Sequence, residues 1–172
     1  MKRIGALALA ALALAACATE TGPRLGPGPA APAPPPPPPP PAAATIIGHG
    51  AYRLRSGAHG DCTGLSVALM HDTPGFRRRI LALYGSAESA RLEIGTVKAR
   101  SAKLGPSAEN PLAASVQCEA GGAFSFRDVA GGSYFIIARV KVVTAQGALE
   151  DLVVMRHIDL IDGQTRDVSL AP

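Results

Sequence analysis

At 172 residues, with 17 Lys plus Arg against 13 Asp plus Glu, the chain carries a formal charge of +4. Half of that excess lies outside residues 45–172, where 14 basic residues face 12 acidic ones, so the globular part lacks the basic face of a nucleic-acid binder and no nucleic-acid partner is expected. Those 128 residues suit one domain with a real core and leave little room for a second.

In chain order, Met1, Lys2 and Arg3 precede an apolar run from Ile4 to Ala16 broken only by Gly5. The run is too short for a membrane-spanning helix and has the basic-then-apolar order of a secretory signal, so residues 1–16 read as a signal peptide. It ends in Leu14-Ala15-Ala16-Cys17, which resembles the bacterial lipobox at all four positions. The resemblance implies a diacylated Cys17 that becomes the new N-terminus and is then N-acylated, giving a durable membrane anchor. Ala18 after the cysteine, where aspartate would signal inner-membrane retention, resembles the outer-membrane class. The expected location is therefore the outer membrane, lipid-anchored, with the domain in the periplasm.

Residues 17–44 follow as a linker. From Gly22 to Ala44 the chain is almost only Pro, Ala and Gly, with unbroken proline from Pro34 to Pro41. Such a stretch has too few donors and too little apolar bulk for a core. Extended as polyproline II at about 3.1 Å per residue, it could reach roughly 70 Å.

In the domain, residues 45–172, alternation over 51–56 (Tyr52, Leu54) and over 65–70 (Leu65, Val67, Leu69) predicts two short strands. Asp72-Thr73-Pro74 supplies a cap and a first-turn proline. Phe76, Ile80, Leu83 and Tyr84 then recur at helical spacing until Gly85, so residues 73–85 are expected to hold one short inserted helix. Residues 91–99 read as a strand, with Leu92, Ile94 and Val97 apolar and Gly95 as a bulge. Residues 101–114, with two prolines and a glycine, read as a loop.

Further on, Val116 and Cys118 lead into a Gly121-Gly122 turn. Phe124 and Phe126 share one strand face, Val129 closes that strand, and Gly131-Gly132 turns the chain into a strand over 133–144. Strands around 152–160 and 165–170 are split by Asp162-Gly163. Short strands at regular spacing with glycine turns predict a mainly β fold, a Greek-key-type β-sandwich of about seven strands. With no tryptophan, four Phe and three Tyr, a core of this size must use most of its aromatics, so Phe124, Phe126 and Tyr134 are expected inside.

Several chemistries can be weighed against this frame. With Cys17 lipidated, the exported domain holds Cys62 and Cys118 alone, so one intramolecular disulfide is available, against a zinc site or a reactive thiol. "HGDCTG", residues 59–64, resembles the surround of a trypsin-like nucleophile with Cys62 in the serine position. That enzyme needs two barrels with its base well upstream, and the chain is too short for it. A metal site would draw on His49, His59, Asp61, Cys62, His71 or His157. His59 and Cys62 are spaced as one pair of ligands and nothing supplies a second, so no metal and no other cofactor is expected. A Lys–Asn self-crosslink from Lys98 or Lys141 lacks its asparagine, since Asn110 is the only one and falls in the loop. Arg77, Arg78, Arg79, Arg91, Lys98, Arg100 and Lys103 outnumber Glu88 and Glu93 locally, and form a candidate contact for an anionic surface such as lipid head groups.

The pattern Gly122-x-Phe124-x-Phe126-x-x-Val129-x-x-Gly132-x-Tyr134, with the closing "IDLIDGQTRDVSL", is similar to the carboxypeptidase-regulatory-like domain of the transthyretin-like, prealbumin-type sandwiches. The resemblance covers about the last 55 residues well and the first half loosely through "GLSVALM". It implies that the aromatics and glycines are structural. Cys118-Glu119 stands where that group has Thr-Asp, which implies that a disulfide to Cys62 pins the turn. No catalytic residues are expected. The functional expectation is an outer-membrane lipoprotein displaying a non-enzymatic binding or structural module on a proline-rich stalk, with an envelope protein or polysaccharide as partner. A small periplasmic hydrolase or a ligand- or metal-binding domain is the alternative.

Overall fold

The computed structural model describes residues 42–53 and 57–170, with the Tyr52 side chain excluded. The expected signal peptide, the expected lipid-attachment residue Cys17 and nearly all of the expected linker lie outside the described residues. Ten strands and two helices follow one another as β1 (Ala44–His49), β2 (Tyr52–Arg53), β3 (His59–Asp61), β4 (Ser66–His71), α1 (Pro74–Tyr84), β5 (Ser89–Glu93), α2 (Ile94–Leu104), β6 (Leu112–Gln117), β7 (Ala123–Val129), β8 (Gly132–Val143), β9 (Leu149–Leu160) and β10 (Thr165–Ser169).

Alternation along β8 decides the architecture. Tyr134, Ile136, Ala138, Val140 and Val142 point to one face, and Phe135 and Ile137 to the other, as the two-residue period of a strand requires. β9 pairs antiparallel with β8 along its whole length, while β4 and β3 lie end to end along the opposite edge of β8. β5 extends the sheet beyond β9, β6 beyond β4 and β2 beyond β3. A second, three-stranded sheet has β1 in its centre, parallel to β10 and antiparallel to β7.

The two sheets enclose the main core. Ile46, Phe124, Phe126 and Val168 from the small sheet pack with Val67, Leu69, Ile136, Val140, Val154 and Ile158 from the large one. The opposite face of the large sheet carries Phe135, Val153 and Met155, and these pack under Phe76, Ile80, Leu83 and Tyr84 of α1. The fold is thus a β-sandwich with a helical layer over part of one outer face. Phe124, Phe126 and Tyr134 are all core residues, as expected.

α1 forms where the sequence places it. Thr73 Oγ1 accepts from the Phe76 amide at 3.1 Å, Pro74 opens the first turn, and Gly85 ends the helix at φ 78° with its N–H donating to Leu81 O. Cys62 and Cys118 form a disulfide, with Cα atoms 5.6 Å apart.

Three expectations need correction. Residues 91–99 are not one strand, because β5 ends at Glu93 and α2 runs from Ile94 to Leu104. Ile94 and Val97 are three apart, the step of a helix face, and both pack against the helical core; the bulge at Gly95 was a strand explanation of that step. The loop over 101–114 gives up its start to the last turn of α2 and its end to β6. Ten strands replace about seven, since β1, β3 and β6 are strands that the sequence did not mark as such; of the strand expected over 51–56, β2 is the described part, and Leu54 lies outside the described residues.

Candidate functional site

β5 and β9 form the outer corner of the large sheet, with Ser89 opposite Arg156, Ala90 opposite Met155 and Arg91 opposite Val154. Directly opposed residues share a face, so Ser89, Arg91 and Arg156 lie on the same face as Val154, the face turned to the sandwich interior. Along this pair runs a cavity of about 430 Å³, lined by residues 88–91 and 154–157 and by Leu170. Its volume is in the range of small-ligand sites. Leu170, just past β10, and Val154 supply apolar wall, while Ser89, Arg91 and Arg156 supply charge and hydrogen-bonding groups; Glu88 and His157 border the cavity with their side chains on the opposite sheet face. Arg156 Nη1 donates to Ser169 O at 2.8 Å, tying β9 to the end of β10 beside the cavity.

Behind His157 lies a part-buried polar knot. Asp72 precedes α1 with a side chain only 6% exposed. Its carboxylate accepts from Arg77 Nε at 3.0 and 3.1 Å, from Arg77 Nη2, and from His157 Nε2 at 2.9 Å. Burial pushes the Asp72 carboxyl up, but the hydrogen bonds from Arg77 and His157 outweigh it and hold the group below its usual range. Arg77 Nη2 also lies 3.0 Å from His157 Nε2. An Nε2–H donating to Asp72 has no lone pair left for the guanidinium, so that contact is a consequence of the shared carboxylate. The His157 ring packs on Phe135, with centroids 5.0 Å apart. Its Nδ1 faces Glu88, whose Oε2 is 4.0 Å away. The knot joins α1 to β9 on the helical side of the sheet.

No family model and no curated protein matches the sequence. The fold has a solved counterpart. A candidate carbohydrate-binding protein from Pseudomonas aeruginosa superposes with a TM-score of 0.54 at 17% identity, over 77% of this chain and 90% of that one. At that identity the likeness is one of fold.

The structure distributes the seven basic residues of the sequence-predicted surface contact among different tasks. Arg77 is engaged with Asp72. Arg79 Nη2 donates to Gly105 O at 2.7 Å, and Arg100 Nη1 donates to Leu83 O at 2.7 Å. Each helix therefore places an arginine on the C-terminal carbonyls of the other, where the helix dipole favours a cation. Arg78, Lys98 and Lys103 are exposed, and Arg91 lines the cavity.

The histidines do not converge. Among the described residues no group of three His, Cys, Asp or Glu side chains is placed to hold a metal ion. His71 packs on the Tyr134 ring at 5.1 Å. Asp61 accepts from the Thr63 amide at 2.9 Å and shapes the turn. Cys62 is spent on the disulfide, so "HGDCTG" holds a structural half-cystine.

Sequence reasoning missed Ser89 and Arg156 as cavity residues. The available signal was Arg156 itself, since Val154, Ile158 and Leu160 occupy the same face of β9 and a charge in that apolar register needs a reason.

Proposed function

We propose that the chain is an outer-membrane lipoprotein whose sandwich, related to the carboxypeptidase-regulatory-like group, is held on a proline-rich stalk and binds an envelope polysaccharide. The observation that carries the binding part is the β5–β9 cavity, where an apolar wall from Val154 and Leu170 and the polar side chains of Ser89, Arg91 and Arg156 share one face at a corner of the fold. Sugars present both features, apolar C–H faces and a ring of hydroxyls. The shared fold with a candidate carbohydrate-binding protein supports the same reading. The anchor and stalk rest on Leu14-Ala15-Ala16-Cys17 and on the run from Pro34 to Pro41.

The test has two arms. Full-length protein purified from membranes in detergent should retain a subset of envelope polysaccharides in a binding panel, and release no new reducing ends from them. Liberation of reducing ends would replace the binder with a hydrolase. The Cys17→Ser form should leave the membrane fraction, and its retention there would remove the anchor from the proposal.

A further inference from the structure

The β5–β9 cavity has a charge pattern that narrows its ligand. Arg91 and Arg156 occupy diagonal positions on one face, because Ser89 is the residue opposite Arg156 and Arg91 is two further along β5. Such diagonal neighbours are about 7–8 Å apart, within joint reach of long side chains. Among the described residues neither guanidinium has a carboxylate at ion-pair distance. The bond described for Arg156 goes to the neutral carbonyl of Ser169 and uses one of its five donors. Glu88, the acidic residue of the lining, stands at the His157 side with its side chain 77% exposed. Glu93 lies on the same β5 face as Arg91 but falls outside the lining.

Equally telling is what the wall lacks. Neutral sugars are commonly held by stacking on exposed aromatic rings. Here all four Phe, with Tyr84 and Tyr134, are buried in the two cores, and the sequence has no tryptophan. The cavity offers aliphatic wall from Val154 and Leu170 in their place. Without an aromatic among the described lining residues on that face, recognition has to come from the polar groups, and the two of strongest reach are guanidinium forks without a carboxylate partner among the described residues, which match a planar carboxylate in bidentate geometry.

We infer that the β5–β9 cavity binds an acidic sugar, a uronic-acid residue of a polysaccharide, with Arg91 and Arg156 on its carboxylate and Ser89 on a hydroxyl. This rests on the polysaccharide-binding reading above and names the class of sugar. Arg156 is steadied by Ser169 O, and Arg91 is the free arm.

The probes are oligouronates (galacturonate, glucuronate and mannuronate) and their fully methyl-esterified forms, which keep the ring and lose the charge. Binding to the full-length protein in detergent is followed by calorimetry. At least one oligouronate should bind, its ester about tenfold or more weakly, and its affinity should fall with added salt. Arg91→Gln, on an exposed side chain, should lower that affinity by about tenfold or more without shifting the melting temperature. Arg78→Gln, an exposed arginine on α1, should change nothing. Equal binding of acid and ester overturns the acidic-sugar inference and leaves the polysaccharide reading standing. So does failure of every oligouronate while neutral glycans bind in the wider panel. Failure of all glycans overturns both. Tight binding that ignores Arg91→Gln moves the site elsewhere and overturns the assignment of this cavity.

Discussion

Gly48 and Phe124 face each other across β1 and β7, and a Cβ on Gly48 would sit 2.0 Å from the Phe124 ring. The ring lies over the backbone where the glycine leaves room, and meets Phe126 edge to face at 5.9 Å. Phe126, 2% exposed, has that ring on one side and the large sheet on the other, so its loss leaves a void that neighbours cannot close. Phe126→Ala should cost about 3–5 kcal/mol in denaturant unfolding. A variant of unchanged stability would place Phe126 outside the cooperative core. At Asp72 the cost is electrostatic. Its folded carboxyl titrates below the unfolded value, so the contribution is complete above about pH 4 and is lost as pH falls through the lowered folded value. Asp72→Asn, which leaves Arg77 and His157 facing an amide, should lose about 1–3 kcal/mol at neutral pH. The deficit should shrink toward acid as the native protein loses the same contribution. Stability curves of the two proteins across acidic pH would show it, and a deficit independent of pH would contradict it.

Among the elements, α1 and α2 are the part of the fold that tertiary contacts decide. α1 was legible because every signal coincided: Thr73 caps, Pro74 opens, Phe76, Ile80, Leu83 and Tyr84 share a face, and Gly85 stops the chain. α2 was not. Its N-terminal residue Glu93 makes no side-chain cap bond, none of its residues is fully buried, and β5 runs into it without a turn residue between them. Alternation at Leu92 and Ile94 carries a strand reading across that boundary. The hairpin from Phe124 to Val143 was legible for the opposite reason, since long alternation between glycine turns has one interpretation. The cavity was hidden because it is made by pairing β5 with β9, more than 60 residues apart in the chain, and no local pattern reports such a register. Arg79 and Arg100 hold the helix pair through reciprocal carbonyl bonds. Replacing either with alanine should cost about 1–2 kcal/mol, and hydrogen exchange should quicken in the capped helix, α2 for Arg79→Ala and α1 for Arg100→Ala. Exchange that quickened equally throughout the protein would show that the arginines act on global stability alone.

At the scale of the whole molecule, the Cys62–Cys118 bond reaches across 56 residues, a span that contains both helices and β4, β5 and β6. Its surroundings are built around it. Gly64 N donates to Cys118 O at 2.8 Å and Cys118 N to Leu65 O at 2.9 Å, so the β4–β6 ladder continues to the bridge. Gly50 passes so close that a Cβ there would lie 2.5 Å from Cys62 Sγ. Both half-cystines are buried. Closing a loop of this length restricts the unfolded chain by about 4 kcal/mol in the chain-entropy model, against a total of about 5–15 kcal/mol for an ordinary domain. The helical layer has a modest core of its own, so the loop that carries it gains most from being closed. The double variant Cys62→Ser/Cys118→Ser should therefore unfold at a markedly lower denaturant concentration, with α1 and α2 the first segments to lose exchange protection. Reduction of the native protein should reproduce that shift. Equal midpoints for oxidised and reduced protein would mean that the sheets alone hold the fold, and that an oxidising compartment is no condition for it.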